Sequence, residues 1–207
     1  MTLHFKAFGP IPALLVFAAV LFTPEISSSQ SGLPAPGPSR YGMAGVWGNM
    51  FDPISDIQFF QVAGIAMWDY DPIWRGWAPK SMKFKIEGTA GAAYTPETRA
   101  MISLGMVAHY DLDSLAWARL TPYLEGGLGL VYTDFQVQDP DPPYESQGSR
   151  INFNPIIGIG LDFNRNRTER YFAAFRLSHI SNADLNSENR GANSILFLVG
   201  RYFDIHR

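Results

Sequence analysis

From Tyr41 to the C-terminus, apolar and polar residues alternate with a period of two. In INFNPIIGIGLDF, the residues Ile151, Phe153, Pro155, Ile157, Ile159, Leu161 and Phe163 fall on one face, and Asn152, Asn154, Gly158, Gly160 and Asp162 on the other. MKFKIEGTAGAAY divides the same way, with Met82, Phe84, Ile86, Ala90, Ala92 and Tyr94 opposing Lys83, Lys85, Glu87, Thr89 and Gly91. In YLEGGLGLVY, Leu124, Leu128, Leu130 and Tyr132 oppose Tyr123, Glu125, Gly127 and Gly129. A two-residue period puts successive side chains on opposite faces of a strand and excludes amphipathic helices over most of the chain. Clusters of Asp, Pro, Asn and Gly interrupt the pattern. They divide it into eight predicted strands, at about 41–50, 57–69, 81–94, 99–110, 117–134, 150–163, 169–181 and 193–203.

Alternation alone fits both a soluble sandwich and a barrel, and glycine separates them. Side chains crowd toward the axis of a small barrel, so its inner face must be polar and partly small. Gly127, Gly129, Gly158 and Gly160 all sit on polar faces. The apolar faces are long enough to cross a bilayer as tilted strands of roughly 9–11 residues. The expected fold is therefore all-β: an eight-stranded antiparallel up-and-down transmembrane β-barrel, with a filled interior and no pore.

Composition supports this reading. Charged residues make up 17% of the chain and aromatics 14%, with 19 glycines, where soluble domains carry about 25% charge. A net charge of −3 lacks the basic footprint of a nucleic-acid partner. The absence of cysteine excludes disulfides, thiolate metal sites and cysteine nucleophiles. At the N-terminus, the apolar run IPALLVFAAVLF precedes the small polar stretch ISSSQSG. That is the pattern of a secretory signal peptide, over about 1–30; an uncleaved anchor is the alternative. A linker follows at 31–40, and the barrel domain is expected over 41–207.

With both termini in the periplasm, the odd-numbered connections face outward. The fifth, QVQDPDPPYESQGS, is long and polar, as outside loops are. The second, DPIWRGWAPK, is long for a periplasmic turn, although Trp74 and Trp77 suit an interfacial girdle. On the seventh strand, Tyr171, Ala173, Phe175, Leu177, His179 and Ser181 share one face, and Arg176 lies on the other. An arginine facing lipid costs about 2–4 kcal/mol at the midplane, so Arg176 is expected in the lumen, paired with Glu125 or Asp162. His179 and Ser181 then face outward at the outer end of the strand. Residues two apart on a strand lie roughly 6.5–7 Å apart, within reach for an imidazole to activate a hydroxyl.

The stretch SHISNADLNSENRGAN resembles the signature of the lipid A 3-O-deacylase (PagL) family, outer-membrane enzymes built on an eight-stranded barrel. The match is specific over roughly residues 175–203. The resemblance implies Ser181 as nucleophile, His179 as general base, Asn182 as an oxyanion contributor, and Asn189 and Gly191 as the family's Asn-x-Gly element. Asn182 and Asn189 are thus the expected oxyanion residues. The implied substrate is the lipid A of lipopolysaccharide in the bacterial outer membrane, from which the 3-linked acyl chain is cleaved without metal or cofactor.

Two positions depart from the family pattern. Asp184 stands where glycine is common, and Asn193 stands where the best-studied pattern has a glutamate that orients the histidine. Either Asn193 or Glu188 is left to orient His179. His109 and His206 show no ligand spacing to a carboxylate pair, and Lys83, Lys85, Glu87, Glu125 and Asp162 are expected to form a lumen network. The rival reading is a non-catalytic small barrel with a structural or adhesion role. The sequence leaves open whether the protein is a monomer or a homo-oligomer.

Overall fold

The computed structural model describes residues 37–53, 57–69, 79–94, 97–164 and 170–204. They form one closed barrel of eight antiparallel strands, each paired with its sequence neighbours and the first with the last. The strands are β1 (Arg40–Asp52), β2 (Gln58–Asp69), β3 (Met82–Tyr94), β4 (Thr98–Asp111), β5 (Leu120–Thr133), β6 (Ile151–Asn164), β7 (Arg170–Ile180) and β8 (Ala192–Asp204). The expected fifth strand is shorter than its alternation suggested. A tight Trp117–Leu120 turn, with Ala118 at a φ of 51°, occupies its beginning, just after a 3-10 turn at Asp113–Leu115. The proposed signal peptide, Trp74, Trp77 and His206 lie outside the described residues.

The outer wall is apolar, and the lumen mixes apolar side chains such as Phe59, Phe172 and Leu198 with buried charge. Lys85 and His109 are 0% exposed, whereas Ile157, Leu104 and Met43 are 66%, 62% and 59% exposed. Exposed apolar side chains suit hydrocarbon outside, and the charges inside must find partners there. Arg176 donates from Nη1 and Nη2 to Glu87 at 2.6 and 2.9 Å, and from Nε and Nη2 to Glu125 at 2.6 and 3.1 Å. Lys85 reaches the same Glu125 at 3.0 Å. Two cations thus meet two carboxylates, which offsets the desolvation that would expel any one of them alone.

Arg176 therefore points inward as expected, with Glu125 as a partner, but its second partner is Glu87 and not Asp162. Asp162 instead shares the far end of the lumen with His109 and Asp111, their ligand atoms lying within 4.8 Å of one another. The expectation that His109 stands apart from any carboxylate pair is thus corrected: alternation puts His109 and Asp111 on one face of β4, and barrel closure brings Asp162 across from β6. Lys83 pairs with Asp111, and Tyr123 stacks on the His109 ring at 4.0 Å. Tyr123 fits because Gly160 faces it, where a Cβ would lie 2.2 Å from the ring. A cavity of about 40 Å³ lined by Gln61, Thr89, Ser103 and Asn154 remains in the lumen, room for a few waters.

Candidate active site on the outer wall

β7 ends at Ile180, and its alternation carries on into Ser181. Phe175 and Leu177 are exposed, Arg176 and Ser178 buried, and His179 and Ser181 half-buried on the outward face. Ser181 is fastened by its backbone: its N–H donates to Phe153 O at 3.1 Å, and its carbonyl accepts from Phe153 N–H at 2.8 Å. The Ser181 hydroxyl has no hydrogen-bond partner among the described residues.

His179 lies opposite Asn193 in the β7–β8 register, and Asn193 lies opposite Asp52 in the β8–β1 register. Three side chains on three adjacent strands form a row across the barrel wall. His179 Nδ1 meets Asn193 Oδ1 at 2.7 Å, and Asn193 Nδ2 donates to Asp52 Oδ2 at 2.8 Å. Of the two candidates for orienting the histidine, Asn193 makes the contact; the Glu188 carboxylate accepts from the Ser146 hydroxyl. Gly191 lies against the other edge of the imidazole, where a Cβ would stand 2.6 Å from Cε1 and 3.0 Å from Nε2.

The loop after Ser181 is built on side-chain amides. Asn182 is buried, and its Nδ2 donates to Gln147 O at 3.1 Å and Glu188 O at 2.7 Å. Its backbone N–H donates to Asn189 Oδ1 at 2.9 Å, and Asn189 Nδ2 donates in turn to Asp184 Oδ1 at 2.7 Å. Both sequence-derived oxyanion residues thus direct their side-chain amides to partners within the two outer connections. Ala183 and Asp184 adopt left-handed backbone, with φ of 55° and 61°. Aspartate tolerates that region better than most side chains, and glycine better still, which accounts for glycine being common at this position.

The long outer connection between β5 and β6 folds over this loop. Arg190 N–H donates to Ser146 O at 2.9 Å, and its guanidinium bridges Asp139 at 2.6 Å and Asp52 at 2.9 Å. Asn186 reaches Gly148 O at 3.2 Å. Gly148 has a φ of 72°, and a Cβ there would meet Glu188 O at 2.1 Å, so only glycine fits. Beside Arg190, Asp139 is held below the usual carboxylate range, first by the backbone N–H of Asp141 and then by the guanidinium.

Residues 62–202 match the family model described as lipid A 3-O-deacylase (PagL). The chain belongs to that family. Its members are lipid A deacylases of the bacterial outer membrane, and the barrel places this chain in the same membrane. A comparison with curated proteins finds no match. Among solved structures, the chain is similar to Neisserial surface protein A, with 16% identity and a TM-score of 0.60 over 82% of this chain and 99% of that one. It is also similar to the outer membrane enzyme PagL, with 21% identity and a TM-score of 0.50 over 79% and 99%. Both likenesses are likenesses of fold.

Asp52 and Gly191 have roles in this geometry that the linear sequence hides. Closure of an even barrel pairs the first strand with the last, which points to the outer end of β1. Unbroken register would set Phe51 opposite Asn193. A bulge between Met50 and Asp52 puts Asp52 there instead, the kind of irregularity that re-aims a side chain beside a site.

Proposed function

We propose that this protein hydrolyses the ester-linked acyl chain at position 3 of lipid A by serine catalysis in the outer leaflet. The observation that carries the reading is that His179 and Ser181 share the outward, lipid-facing wall at the outer rim, within the span that matches the family. His179 Nε2 takes the Ser181 proton as Oγ attacks the ester carbonyl, forming a tetrahedral intermediate. Collapse releases the sugar hydroxyl, which receives the proton from the imidazolium, and leaves the acyl chain on Ser181. Water, activated by the same nitrogen, then frees the fatty acid and restores the serine.

Asn193 orients the imidazole in the place of the family's glutamate. Asn189 is the oxyanion donor once its amide turns away from Asp184, and Asn182 acts by clamping the loop to Gln147 and Glu188. The test is expression in a Gram-negative host followed by mass spectrometry of extracted lipid A. Loss of one hydroxyacyl chain with the wild-type protein, and none with Ser181→Ala, is the expected result. Loss that persists in Ser181→Ala would overturn the serine mechanism; an unaltered lipid A with the wild type would favour the non-catalytic barrel.

A further inference from the structure

An imidazole can act as base toward Ser181 only if Nε2 carries a lone pair, which requires the proton on Nδ1. In a Ser–His pair with a carboxylate against Nδ1, that tautomer is enforced, because a carboxylate only accepts. Asparagine enforces nothing by itself: its oxygen and its NH₂ can exchange places, and an NH₂ turned toward Nδ1 would select the opposite tautomer.

The row on the barrel wall resolves this ambiguity. Asp52, paired with Arg190, offers only acceptor oxygens toward Asn193. The Asn193 NH₂ must therefore face Asp52, its oxygen must face His179, and Nδ1 must be the protonated nitrogen. The geometry points to Asp52 as a positioning residue for the serine reaction proposed above: its carboxylate fixes the Asn193 amide and, through it, the working tautomer of His179. The carboxylate missing at position 193 is supplied from the neighbouring strand, one side chain further out.

Several other charged groups gather at this rim, and each has another partner. Glu188 is held by Ser146, Asp184 by Asn189, and Asp139 by Arg190. Arg190 also binds Asp52, donating to Oδ1 at 2.9 Å and to Oδ2 at 3.5 Å, while Asn193 donates to Oδ2 at 2.8 Å. The β1 bulge is what brings Asp52 into the row.

The test uses the full chain in detergent micelles, with nitrogen-15 NMR of the histidine rings read beside kcat and KM on lipid A. The wild type is expected to hold His179 in the Nδ1–H form. Asp52→Asn, whose amide can both donate and accept, is expected to mix the two tautomers and lower kcat about tenfold with KM unchanged, in the range for groups that orient an imidazole. Adding Asn193→Glu to Asp52→Asn puts a carboxylate directly on Nδ1 and should restore both readouts. Arg190→Met, which breaks the Arg190 ion pair but keeps the Asp52–Asn193 bond, should retain the Nδ1–H form.

An Asp52→Asn protein with the wild-type tautomer and kcat would overturn the inference. So would a double variant no faster than Asp52→Asn, or tautomer mixing in Arg190→Met. If the wild type leaves lipid A intact while its His179 tautomer still follows Asp52, the positioning role stands and the substrate reading falls.

Discussion

Gly191→Ala is the sharpest test of the site, because its new methyl would press chiefly on the His179 ring, with Ile180 O at 3.3 Å as the next contact. The new Cβ would lie 2.6 Å from His179 Cε1 and 3.0 Å from Nε2, where ordinary contact begins near 3.4 Å. Either the ring or the backbone must retreat by about 0.8 Å, and the backbone is pinned. Arg190 is tied to Ser146, Asp139 and Asp52, and Ala192 is buried as the first residue of β8. The displacement therefore falls on the imidazole, at the edge proposed to act on Ser181. A misplacement of about 1 Å costs on the order of 100-fold in rate, or about 2.7 kcal/mol of transition-state free energy. The expected result is a kcat lowered about 100-fold, with KM nearly constant. The assay is release of hydroxy fatty acid from purified lipopolysaccharide, with heat-modifiable gel migration confirming a folded barrel. A folded Gly191→Ala protein with kcat within about twofold of the wild type would refute His179 Nε2 as the base.

Three further outcomes are expected. Asp184→Gly removes a carboxylate from the proposed oxyanion region and frees Asn189 Nδ2; because glycine adopts the left-handed conformation without strain, kcat should rise, by up to about tenfold given the value of one oxyanion donor, and an unchanged or lower kcat would count against Asn189 as that donor. Arg176→Met strands Glu87 and Glu125 in the lumen with only Lys85 and should cost about 3–5 kcal/mol in urea unfolding from lipid vesicles; a loss under about 1 kcal/mol would show that the network is dispensable. Asp139 is more acidic in the folded protein than in an unfolded chain, so its contact with Arg190 is fully formed above the ordinary aspartate value of about 3.9 and is lost as pH falls through the lowered one. Protease protection of residues 136–149 should accordingly stay level from neutral pH to about 4 and decline below it; release already near pH 6 would contradict this.

Much of the fold was legible in the linear pattern because strand alternation is a local property. A side chain two residues along points the same way whatever the rest of the molecule does, so one forbidden placement, Arg176 in lipid, assigns a whole face. That step turned His179 and Ser181 outward before any strand was paired. The resemblance in SHISNADLNSENRGAN nominated the candidate reacting groups for a related reason: they lie close together along the chain.

Partnerships across strands were not legible. Glu87 rather than Asp162 completes the Arg176 network, and His109 meets two carboxylates, because the barrel closes with a particular register. The commitments of Asn182 and Asn189 to loop carbonyls and to Asp184 depend on how two outer connections dock. The row His179–Asn193–Asp52 spans 141 positions between Asp52 and Asn193 and depends on a one-residue bulge in β1, which alternation cannot reveal because an extra residue simply reverses the faces beyond it. By itself the sequence determined the barrel, the charges buried in its lumen, and the strand and face that carry the candidate chemistry. Only tertiary structure decided which side chains meet, since hydrogen bonds across strands follow from register and closure and leave no period in the chain.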